Sequence, residues 1–167
     1  MFYKGHFGKQ QKNDDYYSPR SVWEDVIDYI PKDKIIWEPF YGNGSAGQFL
    51  RDLDVHVIHE QIDFFDNNLG AVLVSNPPFS IKKQVFKRLK LLGKPFMMLV
   101  PCNTVHTGYF HKIFEDRSEI QFIIPSKRIH FLKHVDGCIP EGWKNHSNFD
   151  TTWVCWKMNF DKDITWL

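Results

Sequence analysis

Residues 35–50, "IIWEPFYGNGSAGQFL", pass from an apolar stretch through an acid, a proline and a burst of small residues into an amphipathic segment. Such a change of pattern predicts a buried strand that stops and a helix that begins just beyond it. Three kinds of junction fit: a tight structural turn, a phosphate cradle, or a pocket for a small ligand. Gly42 and Gly44 would let the backbone come within contact distance of a ligand. Glu38 discriminates further, because a carboxylate repels phosphate and suits a ligand carrying an ammonium group. The Gly-Lys-Ser/Thr pattern of a phosphate-binding loop is missing from the sequence.

Working outward, the chain alternates short helical and strand-like stretches, the signature of an α/β sheet with helices on its faces. Upstream, "SPRSVWEDVIDYIP" predicts a helix with Ser18 as N-cap, Pro19 at the first helical position and Pro31 as its stop. Strands are predicted at "KIIWEP", "VHVIH", "AVLVSNPP", "KPFMMLVP", "EIQFIIPSKRIHF" and "TTWVCWKM". Between them "SAGQFLRDL", "SIKKQVFKRLKLLG" and "TGYFHKIFED" read as helices, the second ending at Gly93. The two prolines of "AVLVSNPP" cannot pair in a sheet interior, so they end that strand firmly.

The 167 residues fit one compact domain, and 43% apolar with 25% charged residues is ordinary for a globular chain. Residues 1–15, with "KGHFGKQQKNDD", read as a mobile arm and 16–167 as a single domain without a separate target-recognition unit. No run approaches a membrane span and the first residues lack a signal-peptide core, so an intracellular (cytoplasmic) protein is expected. Three separated cysteines suggest neither a disulfide framework nor a metal knuckle, and no metal site is expected. A net charge of +1 gives no global attraction for nucleic acid, so any such binding has to come from local segregation of charge.

One segregated stretch exists: Lys82, Lys83, Lys87, Arg88, Lys90 and Lys94 fall in one predicted helix without an acid. It is either a solvated face or a phosphate-tracking surface. Residues 132–150, "LKHVDGCIPEGWKNHSNFD", make a connection longer than a hairpin needs, and Lys133, His134, Lys144 and His146 are candidate substrate contacts there. His106 and His111, five apart on a helix, diverge and read as surface or packing residues.

"SNPPFS", residues 75–80, is the second motif at a strand end. Taken with "DDYYSPRSVW" and "EPFYGNG", in that order, it resembles the S-adenosylmethionine-dependent adenine N6-methyltransferases, particularly the small type found in bacteria and their viruses. The resemblance runs from residue 14 to 80, and "RIHF" and "TTWVCW" look similar to the end of those enzymes. It implies a Rossmann-like methyltransferase sheet, mostly parallel with an antiparallel last strand and helices on both faces. The implied activity is methyl transfer to the N6 amine of adenine in nucleic acid, DNA favoured and RNA as the alternative. A homodimer or a partner protein could supply target recognition, and a non-catalytic scaffold is the alternative of a different class.

The chemistry gives the tetrapeptide a reason. An exocyclic amine is a poor nucleophile because its lone pair is delocalised into the ring, so a catalyst has to localise that pair. The Asn76 side-chain oxygen can accept one N–H and the Pro77 carbonyl the other, with Pro78 restricting the backbone and Phe79 offering a face to the base. By resemblance, Glu38 meets the amino group of the cofactor's methionine moiety, with Pro39, Phe40, Gly42, Asn43 and Gly44 shaping the floor. Tyr17, Ser18 and Pro19 match the family's Tyr-Thr-Pro segment at the same moiety. In "HEQIDFF", Glu60 and Asp63 with Phe64 match in kind the family's ribose-holding acid and its adenine-binding Asp-Phe-Phe, and with only two residues between the two acids the resemblance leaves open which of them holds the ribose. Asn-Pro-Pro also occurs in enzymes that methylate protein glutamine, usually with Tyr following; Phe79 and the Asp-Phe-Phe segment tilt toward adenine.

Overall fold

A computed structural model describes residues 16–133 and 149–167. The expected arm at 1–15, and His134, Lys144 and His146, lie outside the described residues, as does the side chain of Lys133. Seven strands form one sheet: β2 (Ile36–Trp37), β3 (Val57–Ile58), β4 (Val72–Ser75), β5 (Phe96–Pro101), β6 (Ile120–Ile124), β8 (Thr151–Trp156) and β9 (Ile164–Trp166). Their order is β3-β2-β4-β5-β8-β6-β9. Two short strands, β1 (Tyr16–Tyr17) and β7 (Leu132–Lys133), pair antiparallel as a separate ribbon.

Strands β3, β2, β4 and β5 are mutually parallel, β8 is antiparallel to both β5 and β6, and β9 runs parallel to β6. The expectation of an antiparallel last strand needs correcting. The reversed strand is β8, inserted between β5 and β6, and the last strand is β9, a parallel edge. Its residues follow "DKD" and alternate exposed, half-buried and exposed, with the apolar Ile164 and Trp166 on the exposed side.

Period-two alternation sorts the strand residues onto two faces. On one, Ile36, Val72, Val74, Met97, Leu99, Trp153 and Cys155 pack against α1 (Arg20–Glu24) and α2 (Ser45–Asp52), which contribute Val22, Trp23 and Leu50. On the other, Trp37, Leu73, Phe96, Met98, Val100, Val154 and Trp156 meet α3 (Lys82–Leu92) and α4 (Gly108–Ile113), which contribute Val85, Phe86, Leu89 and Phe110. The sheet is therefore an α/β sheet with helices on both faces. Both faces being covered explains why β5 and β8 are buried at every residue and read as continuous apolar runs.

The first helix is shorter than its pattern predicts. It ends at Glu24 and passes into a 3-10 turn at Ile27–Tyr29 before Pro31. Ser18 does not cap it: no side-chain cap bond forms, and Ser18 Oγ is buried without a partner. Thr107 does cap α4, its side chain accepting from the Phe110 N–H. Gly93 closes α3 in the left-handed conformation, as expected of a glycine C-cap. No helix among the described residues is long and apolar enough to cross a membrane.

Candidate active site

From β2 the chain moves outward to β3, then crosses back over β2 to enter β4 on its other side. In an open α/β sheet such a switch point leaves a crevice beyond the carboxyl ends of the strands, the usual place for a ligand. A cavity of about 330 Å³ lies there, within the range of small-ligand sites. "EPFYGNG" follows β2 and "NPPF" follows β4, so strand adjacency brings the two motifs to one opening.

Of the residues expected at a cofactor, Tyr17, Ser18, Glu38, Pro39, Phe40, Gly42 and Asn43 line the cavity, and so do Asn76, Pro77, Pro78 and Phe79. Pro19, Gly44, Glu60, Asp63 and Phe64 do not. Glu60 is exposed, while Asp63 is buried and accepts from the Phe65 N–H at 2.7 Å. Phe64 is core, its ring centroid 5.7 Å from Trp37 and 5.1 Å from Phe40. A tight turn in which the Ile62 N–H bonds the Glu60 carbonyl presents Gln61 and Ile62 to the cavity in their place. Tyr16, Trp23, Tyr41, Ser45 and Ala46 complete the wall without having been singled out.

The glycine loop is built for close approach. Gly42 has φ +54°, and a Cβ there would stand 2.8 Å from the Tyr17 ring. Asn43 Oδ1 accepts from the Ser45 N–H and from the Ser45 hydroxyl, closing the turn into α2. A third glycine matters equally: a Cβ on Gly47 would lie 2.6 and 2.7 Å from His59 Cγ and Cβ, and closer still to Cδ2. Gly42, Gly44 and Gly47 thus make a G-x-G-x-x-G pattern whose last member permits close helix–strand packing. That spacing was the signal available for Gly47.

Glu38 is 1% exposed, and the hydrogen bonds to its carboxylate fall on one of the two oxygens. Oε1 accepts from the Ser75 hydroxyl and from the Phe40 N–H. His59 Nδ1 stands 2.5 Å from Oε2, but its hydrogen bond is aligned on the Glu38 main-chain carbonyl at 3.0 Å. Oε2 therefore has a charged neighbour without a directed hydrogen bond. Burial works to lower the His59 pKa, yet the Glu38 side-chain contact, the attraction of the same charge and the carbonyl bond together raise it above the usual imidazole value.

Asn76 is oriented by main chain. Its Nδ2 donates to the Tyr16 carbonyl at 3.1 Å, and its Oδ1 is buried without a hydrogen-bond partner. An amide placed the other way round would set two oxygens against each other, so the contact fixes Oδ1 as a spare acceptor. Four cavity-lining residues carry such orphaned atoms: Ser18 Oγ, Trp23 Nε1, Glu38 Oε2 and Asn76 Oδ1. Buried polar atoms without partners are costly, and a polar ligand in this opening would satisfy these four; six further such atoms among the described residues belong to residues that do not line it.

Phe79 lies in an aromatic group, stacked on Tyr16 at 6.0 Å and edge-on to Phe131 and Phe149. Lys82 Nζ stands 5.8 Å from its centroid. The basic helix divides: Lys83 and Lys87 are exposed, whereas Lys90 Nζ packs 4.4 Å from the Trp156 ring and 5.3 Å from Phe114. Lys94 bonds the carbonyls of Leu69 and Gly70, and Arg88 that of Asn67. None of these side chains lines the cavity.

No protein-family model and no curated protein matches the chain.

Proposed function

We propose that the chain transfers a methyl group from S-adenosylmethionine to the N6 amine of adenine in nucleic acid, with DNA the favoured substrate. The observation that carries this reading is the Asn76 side chain, whose Nδ2 is tied to the Tyr16 carbonyl while Oδ1 is left as a buried acceptor at the cavity. An amine that must be made nucleophilic needs such an acceptor.

The residues present fit the cofactor. Ser18 Oγ and Trp23 Nε1 are orphaned donors suited to its carboxylate, and Glu38 Oε2 is an acceptor suited to its ammonium. When bound, S-adenosylmethionine supplies an electrophilic methyl group on a sulfonium. Asn76 Oδ1 then accepts one N–H of the target amine and the Pro77 carbonyl the other, drawing the lone pair out of conjugation. Both acceptors strengthen as positive charge builds on nitrogen, so they favour the transition state over the ground state. Phe79 packs beside them as a stacking face, and Lys83 and Lys87 offer exposed charge for the phosphate backbone.

The test pairs substrate with mutant. Incubation with methyl-labelled cofactor and duplex DNA, single-stranded DNA or RNA, then digestion to nucleosides, should place the label on N6-methyladenine. Asn76→Ala should keep cofactor affinity while losing about 10²–10³ in turnover, the usual cost of one preorganised hydrogen-bonding group. Label in protein, no label at all, or near-wild-type turnover by Asn76→Ala would overturn the reading.

A further inference from the structure

We propose that His59 and Ser75 are positioning residues for Asn76, acting through Glu38 as a buried bracket across the carboxyl ends of three neighbouring strands. The proposal rests on the methyl-transfer reading for its consequence, though its geometry stands apart from it. His59 follows β3, Glu38 follows β2 and Ser75 ends β4, and these strands lie side by side. Ser75 is fully buried, His59 is 4% exposed and Glu38 1%, so water does not compete for their bonds.

Each contact constrains the next. The His59 ring is held between Tyr41, stacked at 4.8 Å and 16°, and Gly47 of α2, which leaves it no room to turn. Its Nδ1 faces a carbonyl oxygen and a carboxylate oxygen, both acceptors, so Nδ1 carries the proton. That contact pins Glu38, whose other oxygen takes the Ser75 hydroxyl. Ser75 is bonded directly to Asn76, so the bracket fixes the root of the amine acceptor while the Tyr16 carbonyl fixes its tip. Sub-ångström placement of a catalytic acceptor needs this kind of support.

The charged and titratable groups around His59 are Glu38 and Tyr41 from the loop after β2, Arg51 from α2, and Glu60 next in the chain. Glu38 holds the imidazolium and Arg51 opposes it, with the balance toward protonation.

The experiment reads position before activity. In ¹⁵N-labelled protein the Asn76 side-chain amide is assigned by its loss in Asn76→Asp. Ser75→Ala, which leaves the Glu38–His59 contact in place, should shift or broaden that amide signal. It should also lower turnover at saturating cofactor by about tenfold or more. His59→Asn, which keeps a donor near the Nδ1 position without the charge, should retain the amide signal. An unmoved Asn76 amide in Ser75→Ala, or turnover at saturating cofactor equal to wild type, overturns the bracket. A displaced amide in a protein whose wild type methylates no nucleic acid would sustain the bracket and sink the methyl-transfer reading instead.

Discussion

Gly47→Ala isolates the packing beneath the candidate site. In an exposed helix this substitution stabilises by up to about 1 kcal/mol, because alanine is the better helix former. Here the new Cβ would sit 2.6 Å from His59 Cγ and 2.7 Å from its Cβ, well inside van der Waals contact. His59 cannot yield, being stacked on Tyr41 and bonded to Glu38, so α2 has to move or the contact with β3 has to open. Overpacking of this kind typically costs about 1–3 kcal/mol. Subtracting a propensity gain of about 1 kcal/mol leaves a net loss of up to about 2 kcal/mol, a fall in Tm of up to about 4–8 °C for a domain of this size. Urea and thermal melts should be run on Gly47→Ala, His59→Ala and the double variant. With the ring removed, the Cγ and Cδ2 contacts vanish while the 2.7 Å contact with Cβ of residue 59 stays, so Gly47→Ala should cost less than in the wild type, and the cycle should return a coupling energy of about 1 kcal/mol or more. A Gly47→Ala protein at least as stable as wild type, with no coupling to position 59, would refute the packing and with it the reading of Gly47 as the third glycine of the loop.

Two further outcomes are expected. The raised His59 pKa means that its contribution to stability is fully present below pH about 6.5 and is lost as pH rises through the higher folded value; denaturant midpoints should decline as pH rises above about 6.5, and His59→Asn should flatten that decline. Reversing Lys83 and Lys87 to Glu should weaken nucleic-acid binding and reduce its salt slope without altering melting, whereas Lys90→Glu should lower stability, since Lys90 lies over Trp156 and Phe114; a salt slope unchanged by the first pair would return them to a solvated face.

The parts of the site that could be read from sequence are those with backbone signatures. Prolines 77 and 78 end a strand wherever they stand, and Gly42 and Gly44 mark a turn, so the two loops were locatable at adjacent strand ends. Side-chain partners across strands leave no such trace. His59 and Ser75 look like ordinary polar punctuation of apolar strands, and only the order β3-β2-β4 puts both on Glu38. Glu60 and Asp63 were chosen by residue type, but the turn at Glu60–Ile62 decides which side chains face the cavity, and it selects Gln61 and Ile62. Lys90 failed for a related reason: helical spacing places it on the basic stripe, while two aromatic rings from α4's end and β8 draw its ammonium inward. Strand β9 was not singled out because it is only three residues long and its apolar residues, Ile164 and Trp166, face outward rather than into the core.

The orientation of Asn76 depends on an atom that no substitution at its partner position removes. Tyr16 supplies a main-chain carbonyl, while its side chain packs with Phe79, Phe131 and Phe149. The carbonyl is in place only while β1 is paired with β7, through Tyr16 with Lys133 and Tyr17 with Leu132. A two-residue ribbon has little stability of its own, and the aromatic group supplies what the pairing lacks. The same rings that flank Phe79 therefore hold the ribbon that aims Asn76, which couples Phe79, the proposed stacking face, to Asn76, the proposed amine acceptor. Truncating Phe131 or Phe149 would disturb both together, whereas truncating Phe79 alone removes the face while the β1–β7 hydrogen bonds remain.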